Sequence, residues 1–217
     1  MKTDLDTAID LLHTASSGAL ATQSRHLPGY PFATALPFAT DERHQPVFLV
    51  SALAEHTKNL LADARASLMV ANSAQVNLLA AARMTLVGDA ERIDASPELA
   101  ARFVRYQPDA EQYLSLGDFA FFRLNVKTVR YIAGFARMGW IEEADWGDGA
   151  VLPLAEEALL LRELADSAPP GIRLLGIDCH GIDVERGDKR DRQRFSRVPA
   201  STDKIGDGVK RLLAALR

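Results

Sequence analysis

The chain has 217 residues, 47% of them apolar and 25% charged, and its 25 lysines and arginines against 29 aspartates and glutamates leave a net charge of −4. That length allows two compact domains, or one with an appended lobe, around cores that need no covalent staples. The acidic balance argues against a broad nucleic-acid face, the single cysteine, Cys179, excludes an intrachain disulfide and a cysteine-rich zinc site, and no apolar run is long enough to span a bilayer.

The first residues, Met1 to Asp6, lack the basic and apolar regions of a signal peptide, so a reducing, cytoplasmic setting is expected. Leu5, Ala8, Ile9 and Leu12 recur at helical spacing, with Asp4 and Asp6 at the positive end of the helix dipole, and Ser16-Ser17-Gly18 ends the segment. Gly18 to Ser24, Tyr30 to Thr40 and Pro46 to Ser51 read as strands. The polar run 41–45 joins the last two as a hairpin. Ala54 to Arg65 reads as a helix with Leu53, Leu60, Leu61 and Ala64 inward, and Ser67 to Asn72 as a buried strand.

Arg83 to Ile93 alternates, with Met84, Leu86 and Gly88 on one face. Ser96-Pro97-Glu98 is a helix start with a capping hydroxyl, and Leu99, Phe103 and Tyr106 form the inward stripe. Phe119 to Val126 and Thr128 to Ala133 are two further strands. Many strands with few long helices between them predict a mostly antiparallel barrel rather than a doubly wound sheet. The acidic, glycine-containing run 142–149 reads as a linker, which divides the chain into a barrel domain, 1–145, and a small C-terminal α+β domain, 146–217. The second part holds a helix from Pro153 to Ala165, strands around 172–178, 182–185 and 193–198, and a last helix starting at Ser201.

An anion site is expected where the strand 46–51 gives way to the helix. Helix N-termini offer unpaired N–H groups and about half a positive charge, and Ser51, His56, Thr57 and Lys58 cluster there. Arg83 could add a bidentate fork to a phosphate monoester. A capped helix with a solvated Lys58 beside Glu55 is the plainer alternative.

The five histidines are scattered, and no metal centre is expected from them. His13 is expected to meet the carbonyls at the end of its helix. His26 and His44 should be solvated in polar loops, and His180 should lie in a turn held by Asp178 and Gly181. The run 185–192 mixes signs and reads as a solvated hairpin tip. No nucleophile–histidine–acid set or phosphate-binding glycine loop is visible, so no catalytic residue is assigned.

Five segments carry a family resemblance: Tyr30-Pro31-Phe32-Ala33-Thr34, the stretch from Ser51 to Leu60, Ala64 to Leu68, Arg83 to Gly88, and Gly134-Phe135-Ala136-Arg137-Met138-Gly139-Trp140. In order and spacing the chain resembles the pyridoxamine 5′-phosphate oxidase-like, FMN-binding split barrels, and within them the HugZ-type haem-utilisation group with its small C-terminal domain. The resemblance implies an α+β protein, a split β-barrel with that domain appended, forming a homodimer with FMN between two barrels. It implies that Ser51, His56, Thr57 and Lys58 hold the phosphate with Arg83 beside them. It also implies that Thr34 and Ala35 edge the flavin ring and that Arg137 and Trp140 close the site. The expected activity is an FMN-dependent oxidoreductase acting on a small molecule. The alternatives are a haem-binding or haem-degrading protein and a non-catalytic flavin carrier. The histidine-rich stretch and the C-terminal histidine of the haem-degrading relatives have no counterpart in Pro153 to Arg162 or after His180.

Overall fold

A computed structural model of the chain describes residues 5–71, 77, 80–134, 137–147, 149–197, 199 and 201–216. Asn72 and Val198, at the ends of two expected strands, lie outside the described residues, as do Phe135 and Ala136 of the last resemblance segment and Asp148 of the expected linker. The helices are α1 (Leu5–Thr14), α2 (Glu55–Ala62), α3 (Pro97–Tyr106), α4 (Glu111–Leu114), α5 (Glu143–Gly147), α6 (Leu154–Glu163) and α7 (Thr202–Ala215). The strands are β1 (Ser17–Gln23), β2 (Pro31–Pro37), β3 (Ala39–Thr40), β4 (Pro46–Ser51), β5 (Arg65–Ala71), β6 (Arg83–Ile93), β7 (Phe119–Gly134), β8 (Arg137–Glu142), β9 (Ile172–Ile177), β10 (Gly181–Arg186) and β11 (Lys189–Arg194).

Eight strands form one antiparallel sheet in the order β2-β1-β5-β6-β7-β4-β3, with β8 paired to β7. Because side chains alternate along a strand, register decides which residues share a face. Leu20, Leu68, Leu86 and Val129 stand in one cross-strand row, all fully buried, and this row forms the centre of the barrel core. The fold is α+β: a mostly antiparallel split barrel with a second, smaller sheet, β11-β10-β9, towards the C-terminus.

The alternation of β6 is as its sequence predicts, with Met84, Leu86 and Gly88 buried. Ser96 caps α3 by accepting from Leu99 N–H at 3.2 Å, and Leu99, Phe103 and Tyr106 are buried against Leu175 of β9. Helix α3 thereby sits between the two sheets.

Three expectations change. The acidic run 142–149 is not an open linker, since most of it coils into α5 and drives Trp146 into the barrel core. Val126 and Thr128 belong to one continuous 16-residue strand, β7, in which Lys127 is an extra residue opposite the Val87–Gly88 step of β6. Leu53 and Leu61 are 76% and 66% exposed, because α2 buries Thr57, Asn59 and Leu60 instead. Asn59 makes that face polar: its amide donates to Thr22 Oγ1 at 3.0 Å and its oxygen accepts from Arg25 N–H at 2.9 Å.

Candidate functional site

The expected site residues fall on two separate surfaces of the chain. Ser51, His56, Thr57, Lys58 and Thr34 gather around the start of α2. Ser51 Oγ donates to Asp118 at 2.7 Å and accepts from Leu53 N–H at 3.1 Å. Lys58 Nζ lies 3.8 Å from Glu55. His56 Nδ1 is 3.2 Å from Thr34 Oγ1, its Nε2 is buried without a partner, and burial lowers its pKa. The Thr57 hydroxyl is also buried and unpartnered, and Thr57 lines a cavity of about 110 Å³ together with Arg92 and Asp118.

Arg83 is not beside that helix. It pairs with Ile132 at one end of β6, whereas Arg92 pairs with Phe122 near the other. At about 3.3 Å per residue the two arginines are separated by roughly 30 Å along the strand. Thr34 and Ala35, being adjacent in a strand, face opposite sides: Thr34 turns to His56 and Ala35 to the outer face.

Ala35, Arg83 and Trp140 belong to this outer face. One row crosses six strands through Ala35, Ala19, Met69, Thr85, Arg130 and Trp140. Neighbouring rows add Val87, Ile132 and Met138. Met69, Val87, Met138 and Trp140 are 42%, 38%, 49% and 57% exposed, a concentration of large apolar side chains on the barrel surface. The Arg130 guanidinium lies 5.3 Å from the Trp140 ring, and Arg83 Nη1 donates to Ala81 O at 3.3 Å. Arg137 is exposed at the start of β8, beside this face. The face carries exposed apolar side chains with the guanidinium groups of Arg83 and Arg130 among them. Sequence reading missed Met69, Thr85, Arg130 and Met138, although each holds the correct alternate position in its strand.

The histidines depart further from expectation. His13 does not serve helix carbonyls: its Nδ1 donates to Asp183 at 2.6 Å and its Nε2 lies 2.9 Å from His44 Nδ1. His44 is not solvated but buried, and desolvation together with the neighbouring His13 lowers its pKa to about 3. The hairpin 185–192 is not a simple solvated tip either. Arg192 is buried and donates to Asp183, Asp178 and Asp10 at 2.7, 2.6 and 3.1 Å. His26 is exposed, and Asp178 does hold the turn, accepting from the N–H groups of His180 and Gly181.

Residues 2–148 match the family model described as CREG, β-barrel. The chain belongs to the CREG β-barrel family. Its barrel is of the pyridoxamine 5′-phosphate oxidase-like split type, as the resemblance implies. Among relatives of this CREG-family chain, an Arabidopsis thaliana protein named "Non-canonical heme oxygenase HOZ, chloroplastic" is 33% identical over 154 residues, 68% of this chain and 47% of that protein. The chain therefore spans about half the length of that curated relative. A crystal structure of an Agrobacterium tumefaciens protein of unknown function superposes with a TM-score of 0.77 at 26% identity, covering 96% of this chain and 94% of the other. The structure of a heme binding protein from Mycobacterium smegmatis does so with a TM-score of 0.63 at 27% identity, covering 99% and 98%. Among the described residues no helix is long and apolar enough to cross a membrane.

Proposed function

We propose that this CREG-family protein binds haem on the outer face of its barrel sheet, in a groove completed by a second copy of the chain. The observation that carries the reading is the six-strand row from Ala35 to Trp140. Its small residues leave room for a planar ring, Met69 and Trp140 give apolar contact, and Arg83 and Arg130 stand where they can pair with propionates. A homodimer fits because four large apolar side chains, Met69, Val87, Met138 and Trp140, stand exposed together on this face. Support also comes from the heme-binding relative that matches nearly the whole chain and from the relative named as a heme oxygenase, which matches about two thirds of it. Haem, when bound, supplies one-electron and oxygen chemistry, and the protein's part is to position the ring and control access to it.

The start of α2 is less suited to a phosphate than its sequence promises. Lys58 is engaged with Glu55 and Ser51 with Asp118, so an arriving phosphate meets two carboxylates. One observation keeps FMN as the second reading: Thr57 Oγ1 is buried without a partner on a cavity that also holds Arg92. Either a flavin-dependent oxidoreductase or a flavin carrier would use that corner.

Titration of the purified chain with haem, followed by absorption and light scattering, tests the proposal. A Soret band saturating at a fixed haem-to-dimer ratio is expected, with decay under ascorbate and oxygen if the bound ring is also a substrate. A monomer that takes up FMN and leaves haem unbound would replace this reading with the second.

A further inference from the structure

Three adjacent rows of the outer face decide what kind of ligand it can hold. The central row, from Ala35 to Trp140, carries Met69 near its middle. The rows on either side run from Ala71 to Met138 through Arg83 and Ile132, and from Ala33 to Glu142 through Ser67 and Val87. No histidine, cysteine or tyrosine stands in any of the three.

The five histidines and the one cysteine of the chain all lie elsewhere. His13 and His44 are buried against each other, and the His180 ring lies 5.9 Å from that of His44. Cys179 is buried in the core that α6 and α7 form with the C-terminal sheet. His56 reaches Thr34, on the opposite side of β2 from Ala35. His26 follows the end of β1 at Gln23, and Gln23 is itself roughly 13 Å along that strand from Ala19 of the central row. Haem iron is held by imidazole, thiolate, phenolate or thioether groups. Of these, the outer face has the thioethers of Met69 and Met138, and thioether sulfur is a weak acceptor.

What the face offers acts instead on a ring and its acid groups. Trp140 presents an exposed indole, and Arg130 lies over it at 5.3 Å and, among the described residues, pairs with no carboxylate. Arg83 is two residues along β6 from Thr85, which faces Arg130 across the β6–β7 pairing. That offset puts the Cα atoms of the two arginines about 8 Å apart on one face. Two cations so spaced suit a ligand that carries two carboxylates on one edge.

We propose that the outer face recognises a tetrapyrrole by its ring and its two carboxylates rather than by its iron, so that metal-free protoporphyrin is a ligand of the same standing as haem. The inference rests on the haem reading of this face and deepens it: the ligand class is the dicarboxylate porphyrins, metallated or not. Met69 and Trp140 supply apolar contact, and Arg83 and Arg130 supply charge pairing. These groups meet the same atoms of the ligand whether or not the ring holds a metal.

Parallel titrations of the full chain with haem and with metal-free protoporphyrin, both followed by quenching of tryptophan fluorescence, test it. Dissociation constants within about tenfold of each other are expected, with each ligand displacing the other. Arg130→Ala should weaken both by the same factor, about tenfold or more, while His26→Ala leaves both affinities and the haem absorption spectrum unchanged. Haem binding with protoporphyrin more than about tenfold weaker, or a loss of haem affinity alone in His26→Ala, would overturn the inference and leave the haem reading standing. Failure of both ligands to bind the folded chain would overturn the haem reading, and this inference with it.

Discussion

His13 Nδ1 donates to Asp183 Oδ2 at 2.6 Å across 170 residues of sequence, and neither side chain is more than 2% exposed. The pair joins α1 to β10, at the seam between the barrel and the C-terminal sheet. Burial alone would raise the Asp183 pKa, but His13 and Arg192 hold the carboxyl well below the usual range, and the Tyr106 hydroxyl donates to it as well. Asp183→Asn removes the charge that three donors converge on and leaves Arg192 short of a partner. A loss of about 3–5 kcal/mol is expected, the size typical of a broken buried ion pair. Urea unfolding followed by far-UV circular dichroism measures it.

Acid should loosen the same seam. The His44 pKa falls from 6.5 unfolded to about 3 folded, through desolvation and the adjacent His13. Between those values the unfolded chain binds the extra proton, so stability rises with pH there and is lost as pH drops from 6.5 towards 3. Burial opposes ionisation of Asp178, but Arg192, His13 and His44 outweigh it and bring its pKa to about 2 from 3.8, which extends the loss to lower pH with the same sign. The expected result is a falling unfolding midpoint across that window, and His44→Phe should flatten its upper part.

Gly88 is predicted to be intolerant of any side chain. It lies beside the β6 irregularity, and a Cβ there would collide with the Asn125 backbone on β7. Backbone cannot swing aside as a flexible side chain does. Gly88→Ala should cost about 1–3 kcal/mol or more, read as a lowered thermal midpoint.

The outer face should separate binding from folding. Arg130 is partly exposed and stacked on Trp140, so Arg130→Ala should change stability by less than about 1 kcal/mol. The same substitution should weaken haem binding by about tenfold or more, because a propionate would lose its charged partner. Soret titration of variant and parent side by side gives the answer.

What the sequence disclosed follows the range of the interactions. The alternation of β6 and the Ser96 cap of α3 are local, and both are in the structure as read. The outer face was only partly legible. Its alanines and threonines are ordinary strand residues until the register of β2, β1, β5, β6, β7 and β8 aligns them. The same register separates Arg83 from the start of α2, which neighbours in a motif cannot reveal. Burial of His13 depends on Asp183 and Arg192 from β10 and β11, far along the chain, and His44 is buried in turn against His13. One signal was present in Lys189-Arg190-Asp191-Arg192-Gln193-Arg194, where arginines recur every second residue. Read as a strand, that spacing puts three guanidiniums on one face; read only for its mixed charges, it looks like a solvated tip.

Those three arginines grip the first helix and its surroundings. Arg190 donates to the carbonyls of Ala15 and Tyr106, Arg192 to Asp10, and Arg194 to Asp10 and to the Asp6 carbonyl. During translation α1 leaves the ribosome some 180 residues ahead of the strand that neutralises it, as the sequence separations of these bonds require. Until β11 emerges, Asp6 and Asp10 of the helix lack these guanidinium partners, and the nascent barrel must wait with one side unlatched. A ribosome stalled before Lys189 should therefore display an N-terminal segment open to proteases, which release of the finished chain then protects.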